Sequence, residues 1–220
     1  MLRDAFLLAR TFVFEKGYLN EIRWQDSISL ELLTENTFLQ EYAWVVLNSG
    51  MREAVVRKKF PLVSQSFYSW ESASKIADDA DLCVRSALEF FRHEAKIRAV
   101  AVTAKLIAAE GFAKFKERVE TSGLATLREL SYIGPITQYH LAKNIGMNVA
   151  KPDRHLVRIA HLFGYETVQE FCGDVAKQSC SKVAVVDVVF WRFATLRRDY
   201  LEVLTQFASA TEQSPSCRPS

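Results

Sequence analysis

Apolar residues return along this chain at steps of three and four, with few interruptions. Phe38, Tyr42, Val45 and Val46 keep that spacing and predict a helix over residues 37–48, ended by Asn48-Ser49-Gly50. A basic helix over 52–59 should follow and stop before Pro61. Helices are expected over 72–80 and over 87–110, the latter as one piece or two. Leu88, Phe91, Ile97, Val100, Ala104 and Ile107 face inward there, and Gly111 ends the run. Shorter helices are expected over 112–120 and 124–130, and further ones over 168–176 and 182–206. The stretch "VVDVVFW" has the composition of a strand, but Val186, Phe190 and Phe193 continue a helical stripe, which predicts helix. Residues 11–35 show no clear period, and a short strand or an irregular arm is expected. The small, polar residues of 207–220 predict a disordered tail.

Composition agrees with an all-α reading. Five prolines and eight glycines are few for 220 residues, and no internal repeat is visible. Apolar residues make up 49%, enough for a substantial core. The net charge of +2 neither demands nor excludes nucleic acid, so local patches must decide. Arg3, Asp4 and Arg10 interrupt the first apolar run, against a signal peptide. No stretch approaches the roughly 20 apolar residues of a membrane span. Cys83, Cys172, Cys180 and Cys217 are dispersed without a CxxC pair, so neither a metal site nor an iron–sulfur cluster is indicated. Free thiols in a reducing cytoplasm, in a bacterial cell, are the expected setting, with no cofactor.

The candidate chemistry lies between Tyr132 and Gly164. Leu124, Leu127 and Leu130 line one helix, Ile133-Gly134 makes a tight turn, and Pro135 stands where a first-turn proline belongs. A second helix is expected over 136–145, with Gly146 just past its end. Gly134 offers a backbone free to take positive φ and to approach a ligand closely. The N-terminus of the second helix offers unpaired amides and partial positive charge, both suited to a phosphate. An ordinary link between two packed helices is the other reading of this hairpin.

Asp153 follows Pro152 and precedes Leu156, Val157, Ile159, Ala160 and Phe163, an apolar helix face closed by Gly164. It is therefore an expected N-cap. An ionised carboxylate there can also stabilise a cation and orient a water. Arg154, His155, Arg158 and His161 surround it with positive charge. Lys143, Lys151 and the run Arg57-Lys58-Lys59 extend the pattern toward a phosphate track. Plain solvated helix charge is the alternative.

The order of these pieces resembles the helix-hairpin-helix DNA glycosylase superfamily. "LRELSYIGPIT" is similar to its hairpin, and "KPDRHLVRIA" to the segment carrying its catalytic aspartate; Gly134 and Asp153 are 19 residues apart. "IAAEGFAKFKERVETSGLATL" resembles the lead-in to the hairpin, and "FLQEYAWVVLNSGMREAVVRKKF" an earlier helix–loop–helix. The resemblance spans about residues 35 to 200. Ser131-Tyr132 stands where the family has Pro-Gly, and Ile136 stands where bifunctional members carry a nucleophilic lysine.

The resemblance implies an all-α fold of two helical subdomains with a cleft between them. Residues 1–35 would be an arm packed on the core, and 36–206 the glycosylase-like domain with its hairpin at 124–146. It implies a monofunctional enzyme, without lyase activity, that flips a modified base from duplex DNA and hydrolyses its N-glycosidic bond, leaving an abasic site. Asp153 would be catalytic. Gly134, Ile136, Thr137, Lys143, Lys151, Arg154 and Arg158 would hold the DNA backbone. Tyr42, Trp70, Asp187 and Trp191 would wall the base pocket, with Met51 and Arg52 as the wedge. A buried, partnered Asp187 and plain core aromatics are the alternatives for the pocket. A monomer acting in repair or in defence against phage fits this picture. Alkylated purines, oxidised guanine and hypermodified pyrimidines all remain open as substrates, and a non-catalytic DNA-binding protein is the rival reading.

Overall fold

The computed structural model describes residues 1–208, and there the chain is all-helical. The helices are α1 (Leu2–Glu15), α2 (Leu19–Ser27), α3 (Glu35–Asn48), α4 (Glu53–Ser66), α5 (Ala73–Asp78), α6 (Ala80–Phe90) and α7 (Glu94–Glu110). They continue as α8 (Phe112–Ser122), α9 (Leu124–Arg128), α10 (Thr137–Asn144), α11 (Arg154–Leu162), α12 (Val168–Ser179), α13 (Val183–Leu196) and α14 (Tyr200–Ala208). The chain divides into two compact units. Among the described residues, one joins 1–28 to 148–208; the other is 29–147.

In the first unit, α13 is the central element. Every residue from 184 to 190 is buried, and α1, α2, α11, α12 and α14 all touch this helix. A helix covered on all sides needs apolar residues all round rather than a stripe. That is why "VVDVVFW" looks strand-like in composition and yet is helical. Phe190 meets Phe6 of α1 at 6.0 Å and Phe171 of α12 at 5.4 Å between ring centroids. Arg192 of α13 forks onto Glu21 of α2, at 2.6 and 2.8 Å.

The strand or irregular arm expected over residues 11–35 is not there. Those residues hold the end of α1, all of α2 and a short 3-10 turn at Leu30–Leu32. Phe6, Ala9 and Val13 form the buried face of α1, and packing on α13 overrides the strand preference of "TFVF".

In the second unit, α3 packs on α4, α7 and α10. Phe38, in the first turn of α3, contacts Phe115 of α8 at 4.7 Å. The helix α4 runs through Pro61 instead of stopping before it. Pro61 is exposed, so water can take the carbonyl it leaves unpaired. The run expected over 87–110 breaks between Phe90 and Glu94, and that over 182–206 breaks between Leu196 and Tyr200. Of the expected tail, residues 207 and 208 belong to α14; the rest lies outside the described residues, as does Cys217.

Candidate nucleic-acid and catalytic site

The hairpin belongs to the second unit. In its turn Tyr132 takes the left-handed conformation, at φ 63°, and Gly134 does not use the positive φ open to it. A bulky residue there is under strain, of order 1–2 kcal/mol. Its ring is 43% exposed and stands edge-on to His93, at 6.3 Å. Gly134 donates its N–H to Thr137 Oγ1 at 2.6 Å, so that amide is engaged inside the turn. The amides of Ile136 and Thr137, next in line, take no acceptor among the described residues. These are the open amides of a helix start without a side-chain cap. Ile136 itself is 44% exposed.

The far end of α10 closes as expected. Gly146 N–H reaches Lys143 O at 3.2 Å, and Met147 N–H reaches Ala142 O at 2.9 Å. That double closure requires the positive φ of 97° found at Gly146. A Cβ on Gly146 would stand 2.3 Å from the Ser29 backbone.

Several expected site residues are core instead. Lys143 is only 8% exposed, which withdraws it from an open phosphate track. Tyr42 is completely buried; its hydroxyl donates to Ser131 O at 2.7 Å and so holds the hairpin on α3. Burial pushes the Tyr42 phenol far above its usual range. Trp70 is buried between Phe60 and Phe67, and its indole N–H donates to Ser64 Oγ at 3.1 Å. Neither ring faces a surface that a base could reach. Met51 and Arg52 are exposed in the α3–α4 connection, beside Gly50 at φ 68°.

Two residues of this unit escaped sequence reading. Lys96 is buried and donates to Leu47 O at 3.0 Å and to Ser49 O, so its cation closes the C-terminus of α3. Burial lowers its pKa. Glu41 accepts from Asn144 Nδ2 at 2.8 Å, and burial raises its pKa to about 7. Both contacts join distant segments, and neither residue stands in a local motif.

Asp153 belongs to the first unit. One of its oxygens, Oδ1, accepts from His155 N at 2.9 Å and Leu156 N at 3.1 Å and caps α11. Oδ2 takes no hydrogen bond from the described residues. Arg154 and Arg158 are exposed one turn apart on α11, and Lys151 is half-buried just before. Arg154 Nε donates to His155 Nε2 at 3.3 Å, which leaves Nδ1 to face Tyr200 Oη at 3.3 Å. Burial lowers the His155 pKa; the charge of Asp153 opposes this, and those of Arg154 and Arg158 add to it. The net effect favours the neutral ring.

Asp187 is 1% exposed and accepts from Lys151 N at 2.6 Å, the buried and partnered alternative. Trp191 follows one turn along α13, half-buried, with the Arg192 guanidinium 4.5 Å from its ring centre. Among the described residues, no group of three or more His, Cys, Asp or Glu gathers as a metal site. No helix is long and apolar enough to cross a membrane.

No family model matches the chain, and no curated protein matches it. A solved structure does: the 8-oxoguanine glycosylase/lyase of Methanocaldococcus jannaschii, in complex with a 15mer DNA containing 8-oxoguanine. The TM-score is 0.56 at 17% identity, over 86% of this chain and 96% of that one. The two share a fold. At that identity the likeness concerns the path of the helices, and the chemistry must be argued from the residues above.

Proposed function

We propose that this chain is a monofunctional DNA glycosylase. The observation that carries the reading is the divided carboxylate of Asp153, one oxygen fixed by α11 and the other open, in a chain folded like a DNA glycosylase/lyase. Breaking the bond between base and deoxyribose builds positive charge on the sugar. The open Oδ2 stabilises that charge and orients a water. Water oxygen bonds to C1′, the C1′–N bond breaks, and its electron pair leaves with the base. One water proton passes to the carboxylate and the hydroxyl stays on the sugar.

The fold neighbour is a glycosylase/lyase, and lyase chemistry needs an amine. The hairpin position for that amine holds Ile136, and Lys143 is buried. On this reading water is the nucleophile, which the absence of a lysine at position 136 supports. The open amides of Ile136 and Thr137 suit one phosphate, and Lys151, Arg154 and Arg158 suit others. Met51 and Arg52 fill the gap that a flipped base leaves, and Trp191 stacks on the base.

The test is a panel of duplexes, each with one altered base, incubated with protein and then heated in alkali. Strand breaks only after alkali, absent with Asp153→Asn, are expected. Asparagine also caps helices well, so this variant keeps the fold. Breaks before alkali, or a species trapped by borohydride, would overturn the water mechanism. Binding without breaks on any duplex would favour the non-catalytic reading.

A further inference from the structure

We infer that Asp187 and Gln169 are positioning residues for Asp153; this rests on the catalytic reading of that carboxylate. The segment from Asn148 to Asp153 has no regular structure, yet neighbouring helices hold it at Asn148, Ala150 and Lys151. Asn148 Oδ1 accepts from Ala184 N, at the start of α13, at 3.3 Å. Gln169 of α12 grips both sides of Ala150: its Oε1 accepts from Ala150 N at 3.2 Å, and its Nε2 donates to Ala150 O. Asp187 of α13 accepts from Lys151 N at 2.6 Å. The carbonyl of Lys151 then accepts from Asp153 N at 2.8 Å.

A continuous path of hydrogen bonds thus runs from Asp187, through the backbone of Lys151, to Asp153, and from its Oδ1 to the α11 amides. A carboxylate inside an apolar helix is costly, and one neutral acceptor would satisfy the same amide. Every residue from 184 to 190 other than Asp187 is apolar. The bond to the Lys151 amide offsets part of that cost and ties the loop to α13. Reacting groups must sit within a fraction of an ångström of the productive geometry, and a loop does so only when its supports are rigid.

The experiment compares wild type with Asp187→Leu, Gln169→Leu and Asp187→Asn by two readouts. The first is hydrogen exchange at the amides of Lys151 and Asp153, without DNA. The second is single-turnover base release beside duplex affinity. Asp187→Leu should speed loop exchange and slow base release, each by about tenfold or more, the slowing of base release exceeding any loss of duplex affinity. Asp187→Asn keeps an acceptor and should recover most of both. If Asp187→Leu does not fold, Gln169→Leu carries the same prediction. Unchanged loop exchange, or a loosened loop with unchanged base release, overturns the assignment. A wild type that releases no base from any duplex sinks the glycosylase reading instead; exchange then decides by itself whether the two side chains hold the loop.

Discussion

Two helix beginnings, those of α10 and α11, lie at the centre of this account, and they are built in opposite ways. The start of α10 has no side-chain cap, and the amides of Ile136 and Thr137 remain open. The start of α11 carries its own anion, Asp153, across two amides. A helix end attracts negative charge whatever its source. One end is thus left for an external anion such as a phosphate, while the other has a built-in carboxylate with an oxygen to spare. Their supports differ as well. The α10 hairpin relies on a strained Tyr132, a glycine stop and the Tyr42 hydroxyl. The Asp153 segment is gripped from side chains of two helices.

That contrast breaks most readily at Gly146. A Cβ there meets the Ser29 backbone, and positive φ adds strain, so Gly146→Ala should cost roughly 3–5 kcal/mol in urea unfolding. A loss under 1 kcal/mol would show that the hairpin end is soft.

Glu41 sharpens the picture through pH. Its pKa rises from 4.5 to about 7 in the folded protein, because burial disfavours the charge. The native state therefore holds more protons than the unfolded chain in that window. Stability from this group is greatest below pH 4.5 and falls as pH climbs through 7. Glu41→Gln should flatten that slope and stabilise the protein at pH 8, by on the order of 3 kcal/mol. An unchanged slope would mean that Glu41 is well solvated.

Smaller effects separate the two hairpin supports. Tyr42→Phe loses the bond to Ser131 O, and unfolding should become easier by about 1–2 kcal/mol. Tyr132→Gly relieves the left-handed strain and should stabilise by about 1 kcal/mol. A destabilised glycine variant would show that the contact with His93 outweighs the strain.

These residues also mark what was legible in the chain. Caps and stops are local: Asp153 and Gly146 each act within a few residues of their own position, and both took the expected roles in their helices. The strand-like run around Asp187 was legible as helix because its stripe continued past the apolar block. The partners of Lys96, Glu41, Gln169 and Asp187 lie 19 to 103 residues away, and no local pattern encodes such pairs. Helical spacing placed Tyr42 on a helix, and Trp70 stood out only as an aromatic; neither signal tells a pocket wall from a core. The α1–α2 region was misread because its apolar face is completed by α13, far along the chain.

The central claim is that Asp153 does two separable things, one with each oxygen. The direct test measures thermal stability and single-turnover base release together for Asp153→Asn, on whichever duplex the wild type cleaves. The account predicts an almost unchanged melting temperature, because asparagine retains the cap, and base release reduced by about a hundredfold or more. Undiminished base release in a folded Asp153→Asn protein would contradict it and leave Asp153 as a helix cap alone.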